Sequence, residues 1–179
     1  MPKTAVLLYP QFSEYELSVA LSVLMQGGRQ VTTIGLDLSP VKGESGLTCL
    51  PDAAAETVDP DEFDSLLLPG CLDIFALDDA AAYVDVVARL ATEDKVVAAI
   101  SSSPLLLARA GFLKGRRYTV GLSAEARTAC GDFEDAHHSD DLVVRDGNLI
   151  TARGRAFVEF GRMLGRALDL TFDPSWYGP

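Results

Sequence analysis

The most informative part of this sequence is KVVAAISSSPLLLARA, residues 95–110. Its first part, Lys95 to Ile100, is a nearly continuous apolar run, which is typical of a central parallel strand that is covered on both faces. Small residues follow, and the pattern from Leu105 to Ala110 predicts a helix that Gly111 ends. A buried strand that turns sharply into a helix at small residues has the layout of a nucleophile elbow.

The chain on either side of this stretch alternates between apolar strands and helical patterns. Buried strands are predicted at 4–9, 30–36 and 64–68, short strands around turns at 41–50, and a hairpin at 142–151 whose turn is Asp146-Gly147. Helices are predicted from Ser13 to Gly27, at 78–92 and at about 155–168. This alternation predicts an α/β fold with a mostly parallel central sheet and helices on both faces.

Size and composition limit the classes of protein and partner. The 179 residues, 48% of them hydrophobic, fit one domain over 1–179. A net charge of −11 argues against nucleic acid or an anionic membrane surface as the main partner. The three cysteines form no C-x-x-C pair, which suits a reducing compartment, and the apolar run before Pro10 is too short for a signal peptide or a membrane span. We therefore expect a cytoplasmic protein.

Ligands of parallel α/β sheets bind outside the carboxyl ends of the strands. Three segments of this chain hold such positions: Tyr9–Glu16, Pro69–Asp73 and Ile100–Pro104. Ser101, the first residue after its strand, would project over the sheet beside a helix N-terminus, which favours anionic groups. From spacing alone, the three serines 101–103 could instead simply cap the helix.

Several motifs of the chain occur in the order seen in a known family. They are VLLYP (6–10) with Glu14 and Glu16, LLLPG (66–70), AAI (98–100) before PLLLA (104–108), AGFLKGR (110–116) and DGNLITARG (146–154). Together they resemble the ThiJ/PfpI family, within the class I glutamine amidotransferase-like superfamily, over most of the chain. The resemblance implies a flavodoxin-like sandwich and usually a homodimer.

The resemblance also implies a set of site residues. In active members a glutamate from the first strand–helix loop approaches a cysteine at the elbow, and Glu16 and Ser101 match these two positions. Cys71 matches the second residue of a Gly-Gly pair whose backbone N–H helps to form an oxyanion hole. The candidate catalytic residues are therefore Ser101, Glu16 and Cys71. The candidate ligand-binding residues are Gly70, Cys71, Ser102 and Arg153.

The sequence departs from the family pattern where the chemistry is expected. A thiol can become a thiolate near neutral pH, whereas an alcohol needs a positioned base, usually histidine. The stretch 118–122, which matches the position of the histidine in hydrolytic relatives, contains none. The only histidines, His137 and His138, lie in the acidic run 132–141, which predicts a solvated loop; a displaced triad histidine is the alternative.

Two candidate residues have alternative interpretations. Glu16 could form a capping box with Ser13, or it could face Ser101 with a raised pKa. Cys71 could be a reactive thiol that has moved from the elbow, or a small buried residue without reactivity.

These observations favour a family member without cysteine chemistry, which binds a small polar metabolite or acts in the stress response through a Glu16/Cys71/Ser101 pocket. The alternative is a hydrolase or a glyoxalase- or deglycase-like enzyme, which uses Ser101 with Glu16 or a relocated thiol at Cys71. A structural or chaperone-like dimer is a third interpretation. The sequence has no Gly-rich phosphate loop and no metal-ligand cluster, so we expect neither a cofactor nor a metal.

Overall fold

The computed structural model describes residues 3–178. The strands are β1 (Lys3–Leu7), β2 (Gln30–Gly35), β3 (Val41–Lys42), β4 (Thr48–Cys49), β5 (Ala53–Ala54), β6 (Phe63–Leu68), β7 (Val96–Ile100), β8 (Val143–Asp146) and β9 (Leu149–Ala152). The α-helices are α1 (Glu14–Gln26), α2 (Ala80–Leu90), α3 (Pro104–Arg109), α4 (Ala124–Cys130) and α5 (Phe157–Ala167). None of the helices in this part of the chain is long and apolar enough to cross a membrane.

Seven strands form the central sheet in the order β5-β2-β1-β6-β7-β9-β8. All neighbours are parallel except β8 and β9, which form the predicted hairpin around Gly147. Gly147 has a φ of 61°, a conformation that glycine adopts without strain. The helices pack in pairs, α1 against α5 and α2 against α3. The predicted α/β sandwich with a mostly parallel sheet is thus confirmed.

The core lies around the three central strands. The apolar runs of β1, β6 and β7 are almost entirely buried, and residues 97–100 of β7 have no exposed surface. Burying a side chain of the size of valine or leucine stabilises the fold by about 1.5–3 kcal/mol, so these runs account for much of the driving force for folding. The prediction of a central covered strand before Ser101 is confirmed.

Helix α2 presents a different face to the core from the one that its spacing predicts. Helical spacing selects Ala81, Val84, Val87 and Leu90, but the structure buries Tyr83 and Val86 with Val87 and Leu90, and leaves Ala81 exposed. Tyr83 packs edge-on against Tyr9, with ring centroids 5.6 Å apart. A tyrosine offers more apolar surface than an alanine, so its burial determines the rotation of the helix.

The strand register brings three chain segments to one edge of the sheet. Leu68 of β6 pairs with Ala99 of β7, and Ile100 pairs with Ala152 of β9. The residues that follow these strands therefore meet at the carboxyl edge, next to the loop between β1 and α1.

Candidate functional site

Ser101 forms a sharp elbow directly after β7. Its φ is 65°, a left-handed conformation that is uncommon for any residue other than glycine. The Ser101 N–H donates to the Ala152 carbonyl at 2.8 Å, and the Ser101 carbonyl accepts from the Gly121 N–H at 2.6 Å. These two hydrogen bonds hold a conformation that would otherwise relax, since strain of this kind persists only where the surroundings enforce it.

The two serines after the elbow point into the protein. Ser103 Oγ accepts from the Ile100 N–H at 2.9 Å and lies 3.0 Å from the Leu68 carbonyl, so it joins the ends of β6 and β7. Ser102 Oγ donates to the Cys71 carbonyl at 3.0 Å and accepts from the Cys71 N–H at 3.1 Å. Ser103 makes no side-chain cap to α3. The interpretation of the serines as simple helix caps is therefore wrong.

Glu16 turns away from its own helix and faces Ser101. Glu16 is 2% exposed; its carboxyl group accepts from the Gly70 N–H at 2.8 Å and from the Tyr15 hydroxyl at 3.2 Å, and it lies beside the Ser101 side chain. Burial raises the pKa of Glu16, and the interactions with Ser101 and Gly70 oppose this shift in part.

The capping-box interpretation of Glu16 is wrong. Ser13 precedes α1 as predicted, but its side chain does not cap the helix. Instead, its hydroxyl donates to Glu44 Oε1 at 2.8 Å. Both members of the apparent capping box are thus used in contacts with distant parts of the chain.

Two glycines let the backbone approach the Glu16–Ser101 pair closely. A Cβ on Gly70 would overlap Glu16 Oε2 and lie 2.7 Å from the Ser101 Cβ. A Cβ on Gly154 would overlap Glu16 Oε1 and lie 3.2 Å from the Ser101 Oγ. The pair is therefore enclosed by backbone on two sides, which explains the burial of the carboxyl group.

Cys71 lies at the end of β6 in a shielded position. The side chain is 8% exposed, its Sγ donates to the Pro10 carbonyl at 3.4 Å, and burial raises its pKa to about 11. Since the thiolate is the reactive form, the structure disfavours the relocated thiol and favours the buried, unreactive cysteine. The Cys71 N–H, which the resemblance assigns to an oxyanion hole, donates to Ser102 Oγ within the protein.

A cavity of about 400 Å³ opens beside Ser101. Its other lining residues are Gly121, Leu122, Ser123, Arg153, Gly154 and Arg155. Of the predicted ligand-binding residues, Arg153 lines this cavity, whereas Gly70, Cys71 and Ser102 do not. The cavity thus lies on the β9 side of the elbow, and of the three residues of the expected pocket, Glu16, Cys71 and Ser101, it is lined by Ser101.

Two arginines contribute positive charge to this cavity. The Arg153 guanidinium donates to Thr119 Oγ1 at 3.3 Å and forms an ion pair with Asp140 Oδ1 at 3.1 Å, which compensates part of its charge. Arg155 is exposed. No sequence pattern marked Arg155, Ser123 or Gly121 as site residues, although Gly121 lies within the stretch 118–122 that lacks the histidine of hydrolytic relatives.

The two histidines lie outside the cavity. His137 is exposed near Glu134, with the solvated environment that the acidic run predicts. The prediction is wrong for His138, which packs edge-on against Tyr118 with ring centroids 5.6 Å apart. Burial and the nearby Arg127 lower the pKa of His138. Neither imidazole lines the Ser101 cavity, so the displaced triad histidine is not supported.

The geometry defines an α/β protein with a nucleophile elbow after a central parallel strand and a facing glutamate from the first helix. The chain belongs to the DJ-1/PfpI family, whose family model matches residues 2–166. This confirms the family that the sequence motifs indicated. Within residues 3–178 no three His, Cys, Asp or Glu side chains cluster as metal ligands would.

Curated relatives cover most of the chain. A deglycase of Pyrococcus abyssi is 34% identical over 155 residues, which are 84% of this chain and 89% of the relative. The protein dj-1beta of Drosophila melanogaster is 33% identical over 157 residues, or 86% and 82% of the two chains. Among solved structures, a DJ-1 superfamily protein from Agrobacterium tumefaciens matches with a TM-score of 0.86 and 26% identity, over 98% of this chain and 94% of the other. The flavodoxin-like fold is thereby confirmed.

Proposed function

We propose that this protein binds small anionic metabolites noncovalently in the Ser101 cavity, and that it lacks the cysteine-dependent chemistry expected of active family members. The observation that carries the proposal is the alcohol at the elbow: Ser101 lies beside the buried Glu16, and no histidine or thiol within residues 3–178 lines the cavity.

Ser101 has weak support as a nucleophile. An alcohol needs a base that takes its proton during attack, and imidazole is the usual one. Glu16 is the carboxyl group beside Ser101, but it already accepts from Gly70 and Tyr15. One N–H expected to stabilise an oxyanion, that of Cys71, is occupied by Ser102. These contacts favour a hydroxyl that orients a ligand.

The charge of the cavity favours an anion. Arg153 and Arg155 contribute two guanidinium groups, and Ser101 and Ser123 contribute hydroxyl groups. Guanidinium groups bind carboxylate and phosphate in bidentate fashion. The acidic chain as a whole repels anions, so local positive charge must provide the attraction.

The proposal is tested by isothermal titration calorimetry with lactate and with inorganic phosphate as probes. We expect at least one probe to bind with a Kd of about 1 mM, and Arg155→Gln to weaken that binding about fivefold. The matched control is Arg145→Gln, because Arg145 is exposed on β8 and lies outside the cavity. Absence of heat with both probes, or equal affinities for the Arg155→Gln variant and the unmodified protein, would overturn the proposal.

An enzyme is the second candidate function. The left-handed backbone of Ser101 and its contact with Glu16 favour it, as do relatives whose names include deglycase. A fluorophosphonate probe followed by mass spectrometry separates the two functions. We expect no adduct on Ser101; an adduct that disappears in Ser101→Ala would establish an activated serine and replace the binding proposal.

A further inference from the structure

A second cavity, of about 340 Å³, lies at the carboxyl edge of the sheet beside β1 and β2. It shares no lining residue with the Ser101 cavity. Its apolar wall is formed by Pro10, Leu36, Pro40 and Val41. The carboxyl edge is where α/β sheets bind ligands, and an apolar wall with a few polar groups is typical of a small-molecule site.

Tyr83 of α2 lines this cavity and carries a polar group without a partner in the part of the chain that the structure describes. The side chain is 5% exposed and its ring packs edge-on against Tyr9, so its position is fixed. Within residues 3–178 its hydroxyl makes no hydrogen bond, and Tyr83 is one of the residues that line the cavity. Burial, together with the charges of Asp79 and Asp37, raises the pKa of Tyr83 to about 12. The hydroxyl is thus protonated at neutral pH, and both aspartates line the same cavity as Tyr83.

The two carboxylates give the cavity a negative rim. Asp37 accepts from the Ser39 N–H at 2.7 Å, which fixes its orientation and lowers its pKa. Asp79, the residue before α2, has a φ of 56° and also lines the cavity. Lys42 also lines the cavity, but among residues 3–178 it forms no ion pair with either aspartate. Its long side chain can extend into solvent.

We propose that this cavity binds a small primary ammonium compound. The ammonium group lies between Asp37 and Asp79 and donates to the Tyr83 hydroxyl, which accepts through its free lone pairs. A short aliphatic stem packs on Leu36, Val41 and the two prolines. The inference is independent of the function proposed for the Ser101 cavity.

Calorimetric titration with n-butylammonium chloride tests this site. We expect a Kd of about 1 mM, and affinity that falls with added salt. Asp79→Asn should weaken binding about fivefold, because asparagine tolerates the left-handed backbone but carries no charge. Lys42→Met should strengthen binding about twofold, since it removes the like charge. Opposite effects of these two substitutions distinguish charge recognition from apolar adsorption.

Asp78→Asn is the matched control, because Asp78 is exposed next to Asp79 but does not line the cavity. If Asp79→Asn unfolds at a lower temperature than the control, Asp37→Asn replaces it with the same expectation. The proposal is overturned if n-butylammonium does not bind, if n-butanol binds equally well, or if the aspartate variants keep the unmodified affinity.

Discussion

The ends of β6 and β7 lie side by side, but the side chains of Cys71 and Ser101, which lie there, have opposite environments. At the end of β7, Ser101 is partly exposed, adopts a left-handed backbone and contacts a buried carboxyl group. At the end of β6, Cys71 is buried, donates to a carbonyl and has a pKa of about 11. The position suited to chemistry holds the weaker nucleophile, and the stronger nucleophile lies where its ionisation is suppressed.

This difference shows that residue type and site geometry contribute separately to reactivity. A thiol requires a position that stabilises its thiolate, and the shielded end of β6 does the reverse. A side chain at an elbow reacts only if it ionises or if a base takes its proton, and among residues 3–178 no imidazole lines the cavity to serve the Ser101 alcohol. Three experiments test this difference between the ends of β6 and β7.

The largest effect is expected when a thiol is placed at the elbow. At pH 7 a thiol of ordinary pKa, about 8.5, is ionised roughly 300 times more than one with the pKa of Cys71. We therefore expect the new cysteine in Ser101→Cys to react with iodoacetamide at least about 100 times faster than Cys71.

Peptide mapping by mass spectrometry after timed alkylation gives both rates in the same sample. Cys49 and Cys130 serve as internal references, since both are half-buried and free. If the thiol at position 101 reacts as slowly as Cys71, the distinction between the two strand ends is wrong.

A second effect is expected from filling the space at the end of β6. The Cβ of Gly70→Ala would overlap the Glu16 carboxyl group and lie 2.7 Å from the Ser101 Cβ. Overpacking of this kind lowers the free energy of unfolding by about 1–3 kcal/mol. We expect urea unfolding to give a loss near the upper end of this range for Gly70→Ala. Gly121→Ala is the matched variant on the β7 side, where the added Cβ would lie 3.1 Å from the Ser101 backbone. Equal losses for both variants would contradict the tighter packing inferred for Gly70.

The smallest effect concerns Glu16, which contacts both strand ends. Its pKa is raised above the ordinary value of 4.5, so the folded protein holds this proton more tightly than the unfolded chain does. The stabilisation is complete below pH 4.5 and is lost as the pH rises through the folded-state pKa. Glutamine at position 16 does not titrate. The free energy of unfolding of Glu16→Gln, measured by urea unfolding, should therefore rise relative to that of the unmodified protein as the pH increases over that window.

Glu14 provides a control of opposite sign two residues earlier. Burial opposes the shift, but hydrogen bonds from the Ser45 and Leu47 amides lower its pKa. Its contribution is present above the ordinary pKa and is lost as the pH falls through the folded-state value. Glu14→Gln should thus differ from the unmodified protein mainly above pH 4.5 and converge with it in acid. The same pH trend for both variants would refute the assignment of Glu16 as the carboxyl group whose pKa is raised.

Much of the fold could be predicted because its signals are local. The apolar runs that became β1, β6 and β7, and the Asp146-Gly147 turn, specify their structures within a few residues. The rotation of α2 could not be predicted this way, because it depends on a contact between Tyr83 and Tyr9, which are distant in sequence.

The site was only partly predictable for the same reason. The family resemblance placed Glu16 beside Ser101, whereas its spacing from Ser13 indicated a capping box. The cavity on the β9 side depends on how 121–123 and 153–155 fold over the elbow, and no local pattern marks Arg155 or Ser123. The catalytic roles of Ser101, Glu16 and Cys71 stay predictions.

The left-handed backbone of Ser101 has a consequence for how this fold evolves. Such a conformation costs about 1–3 kcal/mol, and here it exists without a thiol to benefit from it. Hydrogen bonds from neighbouring strands and loops, rather than the side chain at the elbow, maintain it. A lineage can therefore gain or lose the thiol at the elbow through a change at one codon, with no adjustment of the surrounding backbone.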